Sequence, residues 1–262
     1  LSNIDNCGIA SDTANFPSGS FFNVGTTTVT YIVADSSGNA DTCSFDVTVN
    51  DTEAPVAVCP TPISVSNDSG QCSAVVAFTL AGSDNCGIAS DSATASSGSS
   101  FPVGTTTVSY FVTDSAGNSD SCNFSITVTD DEDPIISCPA NVTVSNDPGF
   151  CSAVVNFPDA TATDNCTTSP AVTQTGGSTS GSNFPVGSTI ISYQAIDSAG
   201  NTSSCSFLIV VNDTEAPTLT CAVSDTVTND SGVCGAVYSY IAPSASDNCP
   251  GPVVITQTDS SG

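Results

Sequence analysis

The run Thr106-Thr-Val-Ser-Tyr-Phe-Val-Thr-Asp-Ser-Ala-Gly-Asn-Ser-Asp-Ser-Cys-Asn-Phe-Ser-Ile-Thr-Val128 reads as strand, turn, strand. On either side of Asp114-Ser-Ala-Gly-Asn118 apolar and polar residues alternate and β-branched side chains abound. A period of two is the mark of a half-buried strand, and Asp, Gly and Asn together are turn formers. Further out, Ile63-Ser-Val-Ser66 and Ala74-Val-Val-Ala-Phe78 carry the same pattern. Turn signals separate them, among them Asn67-Asp-Ser-Gly70, Phe101-Pro-Val-Gly104 and Asn146-Asp-Pro-Gly149. No apolar periodicity of helical length is present. The reading is all-β: immunoglobulin-like or fibronectin-III-like β-sandwich repeats, with about seven short strands in about 80 residues.

The run recurs. Asp-Ser-(Ser/Ala)-Gly-Asn stands at 35–39, 114–118 and 197–201, and Asp-Asn-Cys at 5–7, 84–86, 164–166 and 247–249. Asp51-Thr-Glu-Ala-Pro55, Asp130-Asp-Glu-Asp-Pro134 and Asp213-Thr-Glu-Ala-Pro217 keep the same step. Three independent motifs in one phase divide the chain into a C-terminal half repeat at 1–50, complete repeats at 51–129 and 130–212, and an N-terminal half repeat at 213–262. Two arrangements follow from the halves: a longer covalent array, which the duplicated Asp-Asn-Cys phase favours, or strand donation between copies.

Composition narrows the function. The 262 residues include no Lys, Arg or His and 26 Asp or Glu, a formal charge of -26 at pH 7. Without a basic patch, binding to nucleic acid or to an anionic membrane is not expected. Without histidine there is no Ser-His-Asp or Cys-His pair, and acidic loops offer no carboxylate dyad in a cleft, so no enzymatic activity is expected. Thirteen cysteines without a C-x-x-C motif read as disulfides, hence an extracellular or cell-surface setting. No apolar run is long enough for direct membrane insertion.

The frame Cys138-Pro-Ala-Asn-Val-Thr-Val144, Phe184-Pro-Val-Gly-Ser-Thr189, Asp197-Ser-Ala-Gly-Asn201 and Cys205-Ser-Phe-Leu-Ile-Val-Val211 resembles the hyalin repeat, or HYR, module over essentially the whole chain. The resemblance implies an extracellular immunoglobulin-like module in tandem arrays, associated with adhesion and without catalytic activity. Two extra cysteines per repeat and the missing basic residues make the array look more like those of large bacterial surface proteins.

The three glutamates, Glu53, Glu132 and Glu215, all occupy one repeat position, two residues before the linker proline. Beside them lie Asp51, Asp130, Asp131, Asp133 and Asp213. In a sandwich of this type the linker shares a pole with the loops that carry Asp84 and Asn85, Asp114 and Asn118, Asp164 and Asn165, Asp197 and Asn201, and Asp247. The Asn67-Asp68 and Asn146-Asp147 turns belong to the opposite pole and face the next linker. Clustered carboxylates raise each other's pKa unless a cation joins them, and this chain has no basic side chain to serve. Hard oxygen ligands with a bidentate Glu suit Ca2+, so one or more calcium ions are expected at each junction.

Two disulfide schemes remain open for Cys59, Cys72, Cys86, Cys122, Cys138, Cys151, Cys166, Cys205, Cys221, Cys234 and Cys249. If first and last strands run parallel, Cys59 meets Cys122 and Cys138 meets Cys205, while Cys72 reaches Cys166 and Cys151 reaches Cys249 across repeats. The rival joins neighbours: Cys59 with Cys72, Cys86 with Cys122, Cys138 with Cys151, Cys166 with Cys205. Sequons at Asn67, Asn123, Asn141 and Asn201 permit glycosylation. The expected function is a structural rod or filament, calcium-stiffened and disulfide-stapled, that self-associates or continues as one chain; the alternative is an adhesin for a glycan or protein partner on another surface.

Overall fold

The computed structural model describes residues 8–258; the first Asp-Asn-Cys motif, at 5–7, lies outside them. Among the described residues every regular element is a strand. The first segment has β1 (Ile9–Ala14), β2 (Gly25–Asp35) and β3 (Ala40–Val49), an antiparallel sheet in that order. The repeat from residue 51 has β4 (Val56–Val58), β5 (Ile63–Ser66), β6 (Ser73–Val76), β7 (Ala81–Ser83), β8 (Ile88–Ala93), β9 (Ser99–Pro102), β10 (Gly104–Asp114) and β11 (Ser119–Thr129). Its main sheet runs β5-β11-β10-β8, faced by the pairs β4–β7 and β6–β9.

The repeat from residue 130 copies this plan. Its strands are β12 (Ile135–Ser137), β13 (Val142–Ser145), β14 (Ser152–Val155), β15 (Thr161–Thr163), β16 (Ala171–Gly176), β17 (Ser182–Pro185), β18 (Gly187–Ile196) and β19 (Thr202–Asn212). The sheet β13-β19-β18-β16 faces β12–β15 and β14–β17. The last segment retains β20 (Thr218–Thr220) paired with β21 (Ser244–Ser246). The chain forms two compact units: one runs to Asp68 and resumes over Cys72–Thr129, the other comprises Ser69–Gln71 and the chain from Asp130.

Alternation buries one face of each sheet. Val108, Phe124, Ile126 and Val128 meet Ala74, Val76 and Phe101 in one core; Ile191, Phe207, Ile209 and Val211 meet Ala153, Val155 and Phe184 in the other. The expected strand at 74–78 ends at Val76, because Phe78 turns inward, edge-on to Phe124 at 5.0 Å, and its amide bonds Ser97 Oγ instead of the ladder. Phe157 repeats the arrangement against Phe207 at 5.2 Å. Such aromatic pairs prefer edge-to-face packing.

The parallel pairing of first and last strands settles part of the cysteine question. Ile63 lies opposite Ile126, and Val142 opposite Ile209. Cys59 and Cys122 each stand four residues before that first pair, Cys138 and Cys205 four before the second, so in parallel strands the sulfurs arrive together. Both disulfides are present, with Cα–Cα distances of 5.9 and 5.8 Å. Cys151 bonds Cys249, and Cys72 and Cys166 are disulfide-bonded as well. The neighbour scheme is thereby overturned: it required Cys86 to bond Cys122 and Cys138 to bond Cys151, but Cys86 is an exposed free thiol, as are Cys43, Cys221 and Cys234. Of the four sequon asparagines, Asn67 is buried and Asn201 commits its Nδ2 to Asp197 and Asp130, whereas Asn123 and Asn141 are exposed.

Candidate metal centre

Each complete repeat begins with an aspartate that meets an aspartate of the Asp-Asn-Cys loop. In the unit that contains Asp130, ligand atoms of Asp130, Asp164 and Asp197 lie within 4.8 Å of one another. In the other unit Asp51 and Asp84 converge in the same way, joined by Cys86. Three pieces of local structure place the triad around Asp130. Asp130 leaves the end of β11, and its Oδ1 accepts the Glu132 amide at 3.4 Å. Asp164, after β15, accepts the amides of Cys166 and Thr167 at 2.8 and 2.6 Å. Asp197, between β18 and β19, accepts the amides of Gly200 and Asn201 and the Asn201 side chain. Gly200 makes that tight turn possible with φ near 98°. Asn201 also donates to the Asp130 carbonyl at 3.2 Å, tying loop to linker.

These bonds leave oxygens over. Asp130 Oδ2 and Asp164 Oδ1 are buried with no hydrogen-bond partner, and so are Asp51 Oδ2 and Asp84 Oδ1. Asp130 is 9% exposed, Asp197 8% and Asp114 2%. A buried, ionised oxygen without a partner is costly. Burial pushes the Asp130 carboxyl above the ordinary carboxylate range despite the Glu132 amide, and repulsion from Asp164, Asp197 and Glu132 adds to it. Asp197 and Asp114 go the other way: burial opposes their ionisation, but hydrogen bonds from Asn201 and Asn118 and their turn amides bring both below it. Burial first, then the charges of Asp51, Asp84 and Asp114, raise the Cys86 thiol. The carboxylate oxygens of Asp130, Asp164 and Asp197 are hard donors that fit a divalent cation of the calcium type, whereas Cys86 brings a thiol to the Asp51 cluster.

The remaining expected residues are placed as follows. Asn118 reaches the carbonyls of Asp51 and Glu53 and the Asp114 carboxylate. Asp133 accepts the Thr202 amide at 3.2 Å. Asp131 is exposed. Asp213 accepts the Glu215 amide and Asp247 the Cys249 amide, without joining a triad among the described residues. The glutamates lie outside the converging ligand atoms. Glu132 accepts the Gly70 amide with both oxygens at 2.9 Å, Ser69 Oγ at 3.1 Å and Asn165 Nδ2 at 2.6 Å. Glu215 accepts the Gly149 amide at 3.0 and 2.9 Å. Glu53 accepts Asn85 Nδ2 at 3.0 Å. Sequence reasoning placed the Asn67-Asp68 and Asn146-Asp147 turns against the next linker but gave the glutamates to a metal rather than to the turn amides, and passed over the part Cys86 takes in the Asp51 cluster. The available signal was the phase of Asn-Asp-x-Gly-x-Cys at 67–72, 146–151 and 229–234, matched to the glutamates.

Comparison with known proteins bears on the whole chain. Hyalin of Strongylocentrotus purpuratus is 38% identical over 258 residues, 93% of this chain and 21% of that protein. Hyalin of Lytechinus variegatus is 35% identical over 256 residues, 93% of this chain and 48% of that protein. The chain thus spans from about a fifth to about half of the relatives it matches. These relatives are animal proteins and lend no support to a bacterial surface protein. Among solved structures, the extracellular cadherin domains 1-4 of Protocadherin Gamma B7 align over 79% of this chain and 63% of that one at 15% identity and a TM-score of 0.32. The HYR domain matches three times, at residues 2–49, 50–128 and 129–211, and the chain belongs to the HYR domain family.

Proposed function

We propose that this chain is part of a structural extracellular array of HYR repeats, stapled by disulfides and stiffened by calcium held at the start of each complete repeat. The observation that carries the calcium reading is the pair of buried, unpartnered oxygens on Asp130 and Asp164, repeated on Asp51 and Asp84. In a chain without Lys, Arg or His no side chain can pair with them, so while they are ionised their counter-charge must come from a cation in solution. Asp130, Asp164 and Asp197 would hold it in one unit, and Asp51, Asp84 and Asp114 in the other; bound there, it supplies positive charge and cross-links linker to loops. The disulfides support the extracellular setting, because such bonds persist in oxidising compartments. No helix among the described residues is long and apolar enough to cross a membrane.

The rod or filament form and self-association extend this reading to the larger protein. An adhesin for a glycan or protein partner stands second. It would need an aromatic cluster or a loop peculiar to one repeat, and residues 167–183, where the complete repeats differ most, contain no aromatic side chain. Calorimetric titration of the chelated chain with Ca2+, with melting followed in parallel, tests the proposal. Heat of binding and a rise in Tm that Asp130→Asn with Asp164→Asn reduces are expected; an unchanged Tm between chelator and millimolar calcium refutes it.

A further inference from the structure

We infer that Asn123 carries an N-linked glycan whose first N-acetylglucosamine lies on the ring of Phe111, on the outer face of the sheet β5-β11-β10-β8. The site rests on the extracellular reading of the chain and does not require calcium.

The sequon Asn123-Phe-Ser125 falls inside β11, where alternation decides which side chains leave the molecule. Cys122 is bonded to Cys59 and Phe124 is buried, so Asn123 between them points outward and is exposed. Among the described residues no hydrogen bond takes up its side-chain amide. A glycan is bulky and hydrated, so the fold can carry one only where the amide nitrogen faces water with no bond to give up. Asn67 is buried, and Asn201 gives its Nδ2 to Asp197 and Asp130, so a glycan at either would cost native contacts. Asn141 is exposed, with its Oδ1 held by the Leu208 amide at 2.9 Å. What singles out Asn123 is its surroundings.

In the antiparallel ladder Asn123 lies opposite Ser109 and Phe111 opposite Ser121, so Asn123 and Phe111 are diagonal neighbours on one face. Diagonal neighbours stand about 7–8 Å apart, within reach of an aromatic side chain. Phe111 is 48% exposed, and the residues around it on that face, Ser92, Ser109, Thr113 and Ser121, bear hydroxyls. The ring thus offers an uncovered apolar surface, and its electron-rich face attracts the C–H groups of a sugar while the sugar hydroxyls stay in water. Asparagine and aromatic ring also come as a pair. At the matching positions the segment before has Ser44 and Ile32, and the repeat after has Ser206 and Gln194. Both residues belong to a complete repeat, on the two inner strands of its sheet.

The donor is an oligosaccharide joined through pyrophosphate to a lipid. Asn123 Nδ2 attacks C1 of the N-acetylglucosamine that bears the pyrophosphate. A C1–N bond forms, the C1–O bond to phosphate breaks, the amide gives up one proton and the lipid pyrophosphate leaves. Addition precedes closure of the sheet, because the sequon must be free of the ladder to be reached, and folding then sets the sugar on Phe111.

The test expresses the chain behind a secretion signal in animal cells and maps intracellular and secreted material alike. Chymotrypsin makes the peptides, since no Lys or Arg is present for trypsin. Peptide N-glycosidase in heavy-oxygen water converts each glycosylated asparagine to a labelled aspartate. Label is expected at Asn123 and should vanish in Ser125→Ala, which keeps the asparagine; an unlabelled Asn123 in the unaltered chain overturns the inference. Asn123→Gln should melt about 3 °C below the glycosylated chain, and the same exchange in a Phe111→Ala background should leave Tm unchanged. An equal drop in both backgrounds removes the sugar from Phe111. The Cys59–Cys122 disulfide, read in the same maps, scores the extracellular reading separately: a secreted, oxidised chain unlabelled at Asn123 sinks the glycan alone, whereas a retained chain with both thiols reduced sinks the extracellular reading.

Discussion

The repeat at 130–212 and the segment at 8–50 share a hairpin almost residue for residue, yet differ in what the hairpin buries. Phe207 at 4% exposure and Phe124 at 4% sit in closed cores, while Phe45, at the same repeat position, is 53% exposed. β2 and β3 pair as fully as β18 and β19. What the first segment lacks among the described residues is the parallel strand that β13 lays along β19, and the facing pair β14–β17. The ladder is thus satisfied by local hydrogen bonds, but the apolar face is covered only when strands distant in sequence close over it. Local pairing makes the hairpin; the remote strands make the core.

Removing the ring at each position gives the largest expected contrast. Phe124→Ala or Phe207→Ala should cost about 3–5 kcal/mol in urea unfolding, and Phe45→Ala about 0.5 kcal/mol. Similar costs at all three positions would erase the distinction. Cutting the covalent link between first and last strands comes next. Cys59→Ala with Cys122→Ala should lower stability by about 4 kcal/mol, given the length of the loop they close, with chemical shifts at 25–49 unchanged. Loading with calcium at a hundredfold excess over Kd should add about 2.7 kcal/mol to the complete repeats and leave β1–β3 as they are in the same spectra; a uniform gain would sever calcium from the triads.

The smallest effect is that of pH. Asp130 has a folded pKa above its unfolded one, so its ionisation destabilises the calcium-free fold, and that cost is relieved as pH falls from neutral through the raised value. Asp114 and Asp197 have depressed values, so their contribution is present above the ordinary aspartate pKa and is lost as pH falls through the folded ones. Chelated protein should therefore gain slightly in Tm on mild acidification and lose more steeply on further acidification, whereas calcium-loaded protein should only lose. A monotonic fall in chelator would remove Asp130 from the account.

Much of this was legible because it rests on neighbours in sequence. The 5-residue turn from Asp114 to Asn118 was read as a turn, and Asp114 Oδ1 does collect the amides of Ala116, Gly117 and Asn118. The alternation over 106–112 and 124–128 became β10 and β11. Phe78 escaped because its preference for the core overrides the extended run that leads to it. The turn at Asn146-Asp147 was expected to face the next linker, and the Gly149 amide does meet Glu215. The bond itself could not be read, because a carboxylate beside aspartates suits a metal as well as it suits an amide until coordinates say which is nearer.

Repeat phase, all-β character and the want of an internal cation were therefore determined by the sequence alone, since each depends on residue type and spacing along one strand or turn. Tertiary structure decided the rest. Which cysteines meet depends on β5 running parallel to β11, which brings Cys59 within 5.9 Å of Cys122, Cα to Cα, and leaves Cys86 a free thiol. Which carboxylates converge depends on linker and loops being brought to one end of a sandwich, where burial strips water from Asp130 and leaves its second oxygen without a partner. Those are consequences of packing, in which residues some 60 positions apart become neighbours, and no local pattern encodes them.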